Sequence, residues 1–427
     1  MNPSIDTFSR REFLGTTTLA ATALAAGSAF AQAPAIGSGP LKVGLIGCGG
    51  RGRGAIKNFI DAAKILGRDV EITGLGDIHK PSAIRVANEH SVDHERCFDG
   101  FDGFQKVIDS GCDFVLDCTP PVFRAMHFAA AVAAGKHTFI EKPVSVDPEG
   151  SRSIIASGEI AKAKGLACVT GTQRRHMAGY LRNKAAIDAG AIGEIRGGIV
   201  QWNGRVPWVR RRDEGESDAN YMARNWLAFN EVCGDHIVEQ HIHNIDVACW
   251  FLDRLPVTAL GFGGRARRET GNVFDFFSVD YDFGDDVHIH SQCRQISGTY
   301  SRVGETFTGA SGVCYGGGRL DGKDVEIPEI TVDHDSGMVQ EHVDLIRSVF
   351  EGKPLNHAKR IAEVNNVAIA GRIAAYTGAI VRVRDLTERE DSPFYNLNLS
   401  PRAEDFVNGN VTAPEEEVAP IPGEPMG

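Results

Sequence analysis

The twelve residues from 41 to 52 constrain the fold of this chain more than any other stretch. Leu41-Lys42-Val43-Gly44-Leu45-Ile46 is a short apolar run with strand character. Directly after it stands Gly47-Cys48-Gly49-Gly50-Arg51-Gly52, which has G-x-G-x-x-G spacing, and a helix-compatible segment runs over 55–66. Strand, glycine loop and helix in that order open a dinucleotide-binding unit. Gly47 permits the tight turn, Gly49 lets the backbone approach a pyrophosphate, and Gly52 lets helix pack on strand. Gly50 and Arg51 lie within the same phosphate-facing loop. The helix N-terminus adds backbone N–H groups and the positive end of its dipole. A second strand over 70–76 ends at Asp77. An acid at that position is the expected partner of a ribose 2′-hydroxyl and repels a 2′-phosphate, so NAD is expected over NADP.

The alternation continues. Residues 113–118 read as a strand, 123–134 as an Ala-rich helix stopped by Gly135, and 137–140 as the next strand. A helix over 148–164 and a strand over 166–170 follow. Such alternation predicts an α/β fold with a doubly wound parallel sheet. Ligands of these sheets bind at the carboxyl ends of the strands. Thr119-Pro120, Glu141-Lys142-Pro143 and Gly171-Thr172-Gln173-Arg174-Arg175 all fall at such ends and are site candidates on that ground.

At 427 residues the chain has room for two domains and appendages. A net charge of −11, with small and scattered basic clusters at 51–53, 174–175 and 210–212, argues against a nucleic-acid surface. The nine cysteines include no CxxC pair; they read mainly as small buried hydrophobes. The N-terminus has the form of an export signal. Ser9-Arg10-Arg11-Glu12-Phe13-Leu14 is a twin-arginine motif, a mild Ala/Thr/Gly-rich stretch follows, and Ala29-Phe30-Ala31 is an A-x-A cleavage signature. The stretch is too short and too weakly apolar to serve as a stable membrane anchor. A periplasmic mature protein is expected, folded before export, which fits free cysteines. The domain reading is a signal over 1–33, a nucleotide-binding domain over 41–171, a second domain over 172–386 and an extended tail over 387–427. Its last sixteen residues, rich in Pro and Glu, read as an arm or a disordered tail able to wrap a neighbouring subunit.

These motifs, in their order and spacing, resemble the Gfo/Idh/MocA oxidoreductases. The matching pieces are the glycine loop, Thr119-Pro120 with His127 on the next helix, Glu141-Lys142-Pro143, the 171–175 segment, Gly193-Glu194-Ile195 and the His-rich segment 234–246. The resemblance runs from about 41 to 386. It implies an N-terminal Rossmann domain and a C-terminal α/β domain with a large open, mainly antiparallel sheet. The strand-like stretches 257–266, 274–284 and 286–296 agree. It also implies a homo-oligomer built on that sheet, and a small-molecule carbohydrate as substrate.

The resemblance makes Lys142 catalytic, hydrogen-bonded to the reacting oxygen, where a cation stabilises alkoxide charge. His243-Asn244-Ile245-Asp246 matches the H-x-x-D of the family, which makes His243 the general base. Glu239 stands where many members carry Asp, and on a helix it shares a face with His243. His241 stands where such members often have Gly. His236 and His241 are read as substrate ligands or as polar packing. If the segment were extended, Glu239, His241 and His243 would share one face and could ligate zinc; helical geometry, with no metal, is preferred. Arg174, Arg175, Trp202, Asn203, Arg224, Asn225 and Trp226 are candidate binders of a polyhydroxylated ligand. The expected function is NAD(P)-dependent hydride transfer on a sugar, cyclitol or derivative. The alternative is an NAD-dependent glycosidase or lyase that oxidises its sugar transiently.

Overall fold

The computed structural model describes residues 36–416 and 418. The twin-arginine segment and its cleavage site lie outside them. Six parallel strands form the first sheet: β1 (Leu41–Ile46), β2 (Val70–Gly76), β3 (Cys97–Phe98), β4 (Phe114–Asp117), β5 (His137–Ile140) and β6 (Cys168–Thr170). Their spatial order is β3-β2-β1-β4-β5-β6. The order reverses beside β1, and the resulting crevice lies at the carboxyl edge. β1 and β4 are buried almost throughout, as parallel strands covered on both faces must be.

Helix α1 (Gly50–Ile65) begins five residues before the apolar periodicity does, because it starts inside the glycine loop. Gly47 has φ +88°, and a Cβ there would lie 2.7 Å from the carbonyl carbon of Cys118. A Cβ on Gly52 would collide with the Gly47 carbonyl oxygen. Both positions therefore need glycine, one for its backbone and one for close approach. Helices α2 (Lys80–His90), α3 (Gly103–Ile108), α4 (Pro121–Ala133) and α5 (Pro148–Ala163) complete the first domain.

The second sheet has eight strands. They are β7 (Ile195–Gly204), β8 (Thr258–Gly264), β9 (Phe276–Asp282), β10 (His288–Gln295), β11 (Arg302–Gly309), β12 (Val313–Cys314), β13 (Leu320–Asp321) and β14 (Val381–Arg382). The order is β13-β12-β11-β7-β10-β9-β8-β14, and only β7 and β10 pair in parallel. Helices α6 (Ile242–Phe251) and α7 (Ala358–Thr377) supply apolar side chains to the core on one face. On the other face Leu260 and Phe262 are exposed.

Two packing features depart from the sequence reading. The helix Gly337–Phe350 falls within the second sequence segment yet packs into the first core: Val339, Val343, Leu345 and Ile346 join Phe59, Phe114 and Phe139 there. The stretch after 387, expected as an extended tail, is docked on its own chain as far as residue 416. Its helix Ala403–Asn408 buries Ala403 and Phe406 against Phe123 and Tyr221.

Candidate functional site

A cavity of about 600 Å³ opens at the carboxyl ends of β1, β2 and β4, beside the glycine loop. Its far wall comes from the second domain, including Trp208, Arg210 and Trp226. The cavity suits an NAD dinucleotide on three counts. Among the described residues, no heavy atom lies within 4 Å of where a Cβ of Gly49 or Gly50 would stand, so backbone is bare toward the space. Arg51 holds a buried Nη2 without a hydrogen-bond partner among the described residues, while its Nε lies 3.1 Å from the Glu141 carboxylate. A cation with an unused buried donor suits a phosphate oxygen. Third, Asp77 lines the cavity at the end of β2. Its Oδ2 accepts from the Cys48 N–H (2.8 Å) and its Oδ1 from the His79 N–H (2.9 Å). Burial raises its pKa against those two bonds. Asp77 thus stands where a ribose is expected and also staples the glycine loop to β2.

The floor at β4 is a closed network. Thr119 Oγ1 donates to Asp117 Oδ1 (2.6 Å), and His127 Nδ1 lies 3.3 Å from Asp117 Oδ2. The His127 ring stacks on Phe104, centroids 4.4 Å apart. Burial pushes the Asp117 pKa up, but His127, Arg124 and Thr119 outweigh it and hold the carboxyl below its ordinary value. Arg124 is fully enclosed and donates to the carbonyls of Pro143 (2.6 Å) and Thr119. It ties the Thr119-Pro120 turn to the Lys142-Pro143 turn. Neither Asp117 nor Arg124 carries a motif signal; both come into view only through the strand ends they join.

Lys142 points across the domain boundary. Its Nζ donates to the Glu239 carbonyl (2.6 Å) and lies 3.3 Å from Glu239 Oε1. Glu239 Oε2 is buried without a hydrogen-bond partner among the described residues. His243 stacks on Trp202 of β7, centroids 5.6 Å apart. Burial, then Lys142, Arg174 and His241, push its pKa well below the usual imidazole value. The neutral imidazole, the form a general base must start from, is therefore favoured at pH 7. Glu239 and His243 do not share one helix as expected. A four-residue turn, His236–Glu239, ends before α6 begins at Ile242, and the two residues meet Lys142 from successive elements.

Arg174 pairs with Glu305 of β11, and its guanidinium lies 5.7 Å from the Trp202 ring. Glu305 also accepts from Asn244 Nδ2 (2.7 Å) and Tyr180 Oη (3.1 Å). Lys142, Glu239, His243, Arg174 and Trp202 thus form one constellation. Trp226 lines the dinucleotide cavity instead, edge-on to Trp208 at 6.1 Å.

Three residues expected to bind substrate are committed elsewhere. His241 is fully buried, with Nε2 2.8 Å from Ser291 Oγ, and its pKa is pushed down to about 3, chiefly by burial. The break before α6 turns it into the core, so it packs. Asn225 is 1% exposed; its Oδ1 accepts from the Arg210 N–H (3.1 Å) and fixes the 205–217 loop. Arg175 makes a two-pronged ion pair with Asp246 (2.8 and 2.9 Å) and lies over Trp250. His236 likewise packs, edge-on to Phe277. The segment that would have held zinc as a strand is helical.

Residues 41–172 match a family profile described as an oxidoreductase family with an NAD-binding Rossmann fold. Residues 180–313 match the C-terminal domain of the same Gfo/Idh/MocA group. The chain belongs to the Gfo/Idh/MocA oxidoreductase family. Among curated relatives, it is 34% identical over 213 residues to the inositol 2-dehydrogenase of Pseudomonas syringae pv. syringae, covering 50% of this chain and 55% of that one. It is 26% identical over 223 residues to the scyllo-inositol 2-dehydrogenase (NAD(+)) of Bacillus subtilis, covering 52% and 57%. The chain thus spans little more than half the length of these relatives. Among solved structures, the WlbA dehydrogenase of Bordetella pertussis, in complex with NADH and UDP-GlcNAcA, superposes with a TM-score of 0.62 at 18% identity, over 80% of this chain and 98% of that one. The apo scyllo-inositol dehydrogenase of Lactobacillus casei gives 0.62 at 18% identity, over 82% and 99%. These likenesses establish a shared two-domain fold.

Proposed function

We propose that this Gfo/Idh/MocA protein is an NAD-dependent oxidoreductase that oxidises a ring hydroxyl of a cyclitol, sugar or derivative. The convergence of Lys142, Glu239 and neutral His243 beside the dinucleotide cavity carries the reading. When bound, NAD supplies the acceptor for the hydride leaving the carbinol carbon. The protein must handle the hydroxyl proton and the charge it leaves behind. Lys142 presents an ammonium to the oxygen and stabilises alkoxide character, while Glu239 aims that ammonium by gripping it through carbonyl and carboxylate. His243 takes the proton as general base. Trp202 and Arg174 offer an aromatic face and a donor to the ring and its hydroxyls. The inositol dehydrogenases among the relatives support a cyclitol or similar polyol.

The test is NADH formation from a panel of inositols, aldoses and uronates, across pH 5 to 8. We expect turnover with NAD in preference to NADP, because Asp77 repels a 2′-phosphate. The pH sign follows from His243. Its pKa is lowered, so the basic, neutral form persists as pH falls through 6.5, and kcat/KM stays flat there. A limb that halves activity near 6.5 would remove His243 as the base. Product without net NADH would favour the transient-oxidation alternative. No turnover of any polyol would defeat the proposal.

Two further parts of the reading concern the protein's surroundings. The Ser9–Leu14 pattern supports export to the periplasm. The bare sheet face with Leu260 and Phe262 supports a homo-oligomer. N-terminal sequencing and light scattering on periplasmic protein check both; an intact residue 1 and a monomer mass would reject them.

A further inference from the structure

The C-terminal stretch contacts both domains around the dinucleotide cavity. At its start, the Leu399 N–H donates to Asp147 Oδ2 (3.0 Å), and Arg402 Nη1 donates to Glu149 Oε1 (3.0 Å). Both acids head helix α5 of the Rossmann domain. In the middle, the Phe406 ring packs against Phe101 (5.4 Å between centroids) and edge-on against Phe123 (5.0 Å). At its far end, the Ala413 N–H donates to Asp218 Oδ2 (2.8 Å). Glu416 Oε2 accepts from Tyr221 Oη (3.1 Å) and the Gly271 N–H (2.7 Å). Asp218, Tyr221 and Gly271 belong to the second domain.

Phe101 and Phe123 line the dinucleotide cavity directly, as do Ala223 and Trp226 from the second domain. All four share one apolar cluster with Phe406 and Ala403. The C-terminal stretch is thus the outer layer of a cavity wall and also a tie between the two lips through which a dinucleotide would pass.

We propose that residues 399–416 are a strap that retains the nucleotide, with Phe406 as the positioning residue that holds Phe101 and Phe123 against it. The strap slows release of the nucleotide by holding both lips of the cavity and the aromatic wall between them. The inference rests on the proposed NAD site.

The experiment uses full-length protein, its Phe406→Ala and Phe406→Leu variants and, separately, Glu416→Ala. Each is loaded with NAD, freed of excess, and chased with a large excess of unlabelled NAD after loading with a radiolabelled form. We expect slow release from the native protein. Release should be at least tenfold faster from Phe406→Ala and from Glu416→Ala, with Phe406→Leu in between. The thermal midpoint of nucleotide-free Glu416→Ala should stay close to native, which separates loss of the strap from loss of the fold. Equal release rates in native and Glu416→Ala protein, or native release as fast as Phe406→Ala, would overturn the strap and leave the NAD site standing. Failure of native protein to bind NAD at all would overturn both.

Discussion

Replacing Lys142 by Met lowers kcat roughly 10²–10³-fold and leaves nucleotide affinity within about a factor of three, as expected for loss of one donor aimed at developing charge. The split follows from position. Lys142 is held by Glu239 near His243 and Arg174, whereas the glycine loop, Asp77 and Arg51 line the dinucleotide cavity and Lys142 itself does not. Methionine keeps most of the stem's packing but removes the ammonium. Glu239 then keeps a buried carboxylate without its cation. Steady-state kinetics with the best polyol, alongside an NAD titration of the same variant, check this. A variant that binds NAD normally and turns over at the native rate would remove Lys142 from the chemistry.

Asp246→Ala should cost about 3–5 kcal/mol of stability, the scale of stranding buried charge by deleting its partner. Asp246 is 2% exposed and accepts from Arg175 twice and from Arg360 Nη1 at 3.2 Å. Burial pushes its pKa up, but the two arginines more than reverse that and hold it below the ordinary carboxylate value. Removing it leaves two guanidiniums facing each other in a half-dry space. Arg360 already has its pKa pushed down to about 10, mainly by burial. Urea unfolding at pH 7 is the measurement, with Asp246→Asn expected to lose less. An unchanged midpoint would show that the triad contributes nothing to stability. The triad also joins the segment after β6 to helix α6, which carries His243, so the same variant should lose activity before it unfolds.

The parts of this architecture that depend on local chemistry were readable in the chain. The glycine loop, Asp77 and the strand-end turns each follow from what a few neighbouring residues can do. The β8, β9 and β10 strands likewise fall within the strand-like stretches 257–266, 274–284 and 286–296. What stayed hidden depends on partners far along the chain. Nothing local separates His241 from His243; a break of two residues sends one to Ser291 in the core and the other to Trp202 at the site. Arg175 looks like a ligand-binding arginine until Asp246, 71 residues away, is found opposite it. Arg210 counted only as part of a small basic cluster and Trp208 carried no signal, yet both line the cavity. The 399–416 stretch carries too few apolar residues to suggest burial, because a few well-placed contacts anchor it rather than a continuous apolar face.

The helix Gly337–Phe350 has a consequence for how such chains can be taken apart or recombined. It lays Val343 and Ile346 into the nucleotide-binding core, and its His342 ring meets Phe139 at 4.2 Å and Phe59 at 5.9 Å. A gene fragment cut after the sixth strand would therefore encode a half with an oily flank beside Phe59, prone to clump. Grafting this nucleotide module onto another polyol-binding half would succeed only if two separate coding stretches travelled together. The interleaving makes the pair inherit as a unit, so new substrate preferences are expected to arise by changes within the second half rather than by shuffling halves.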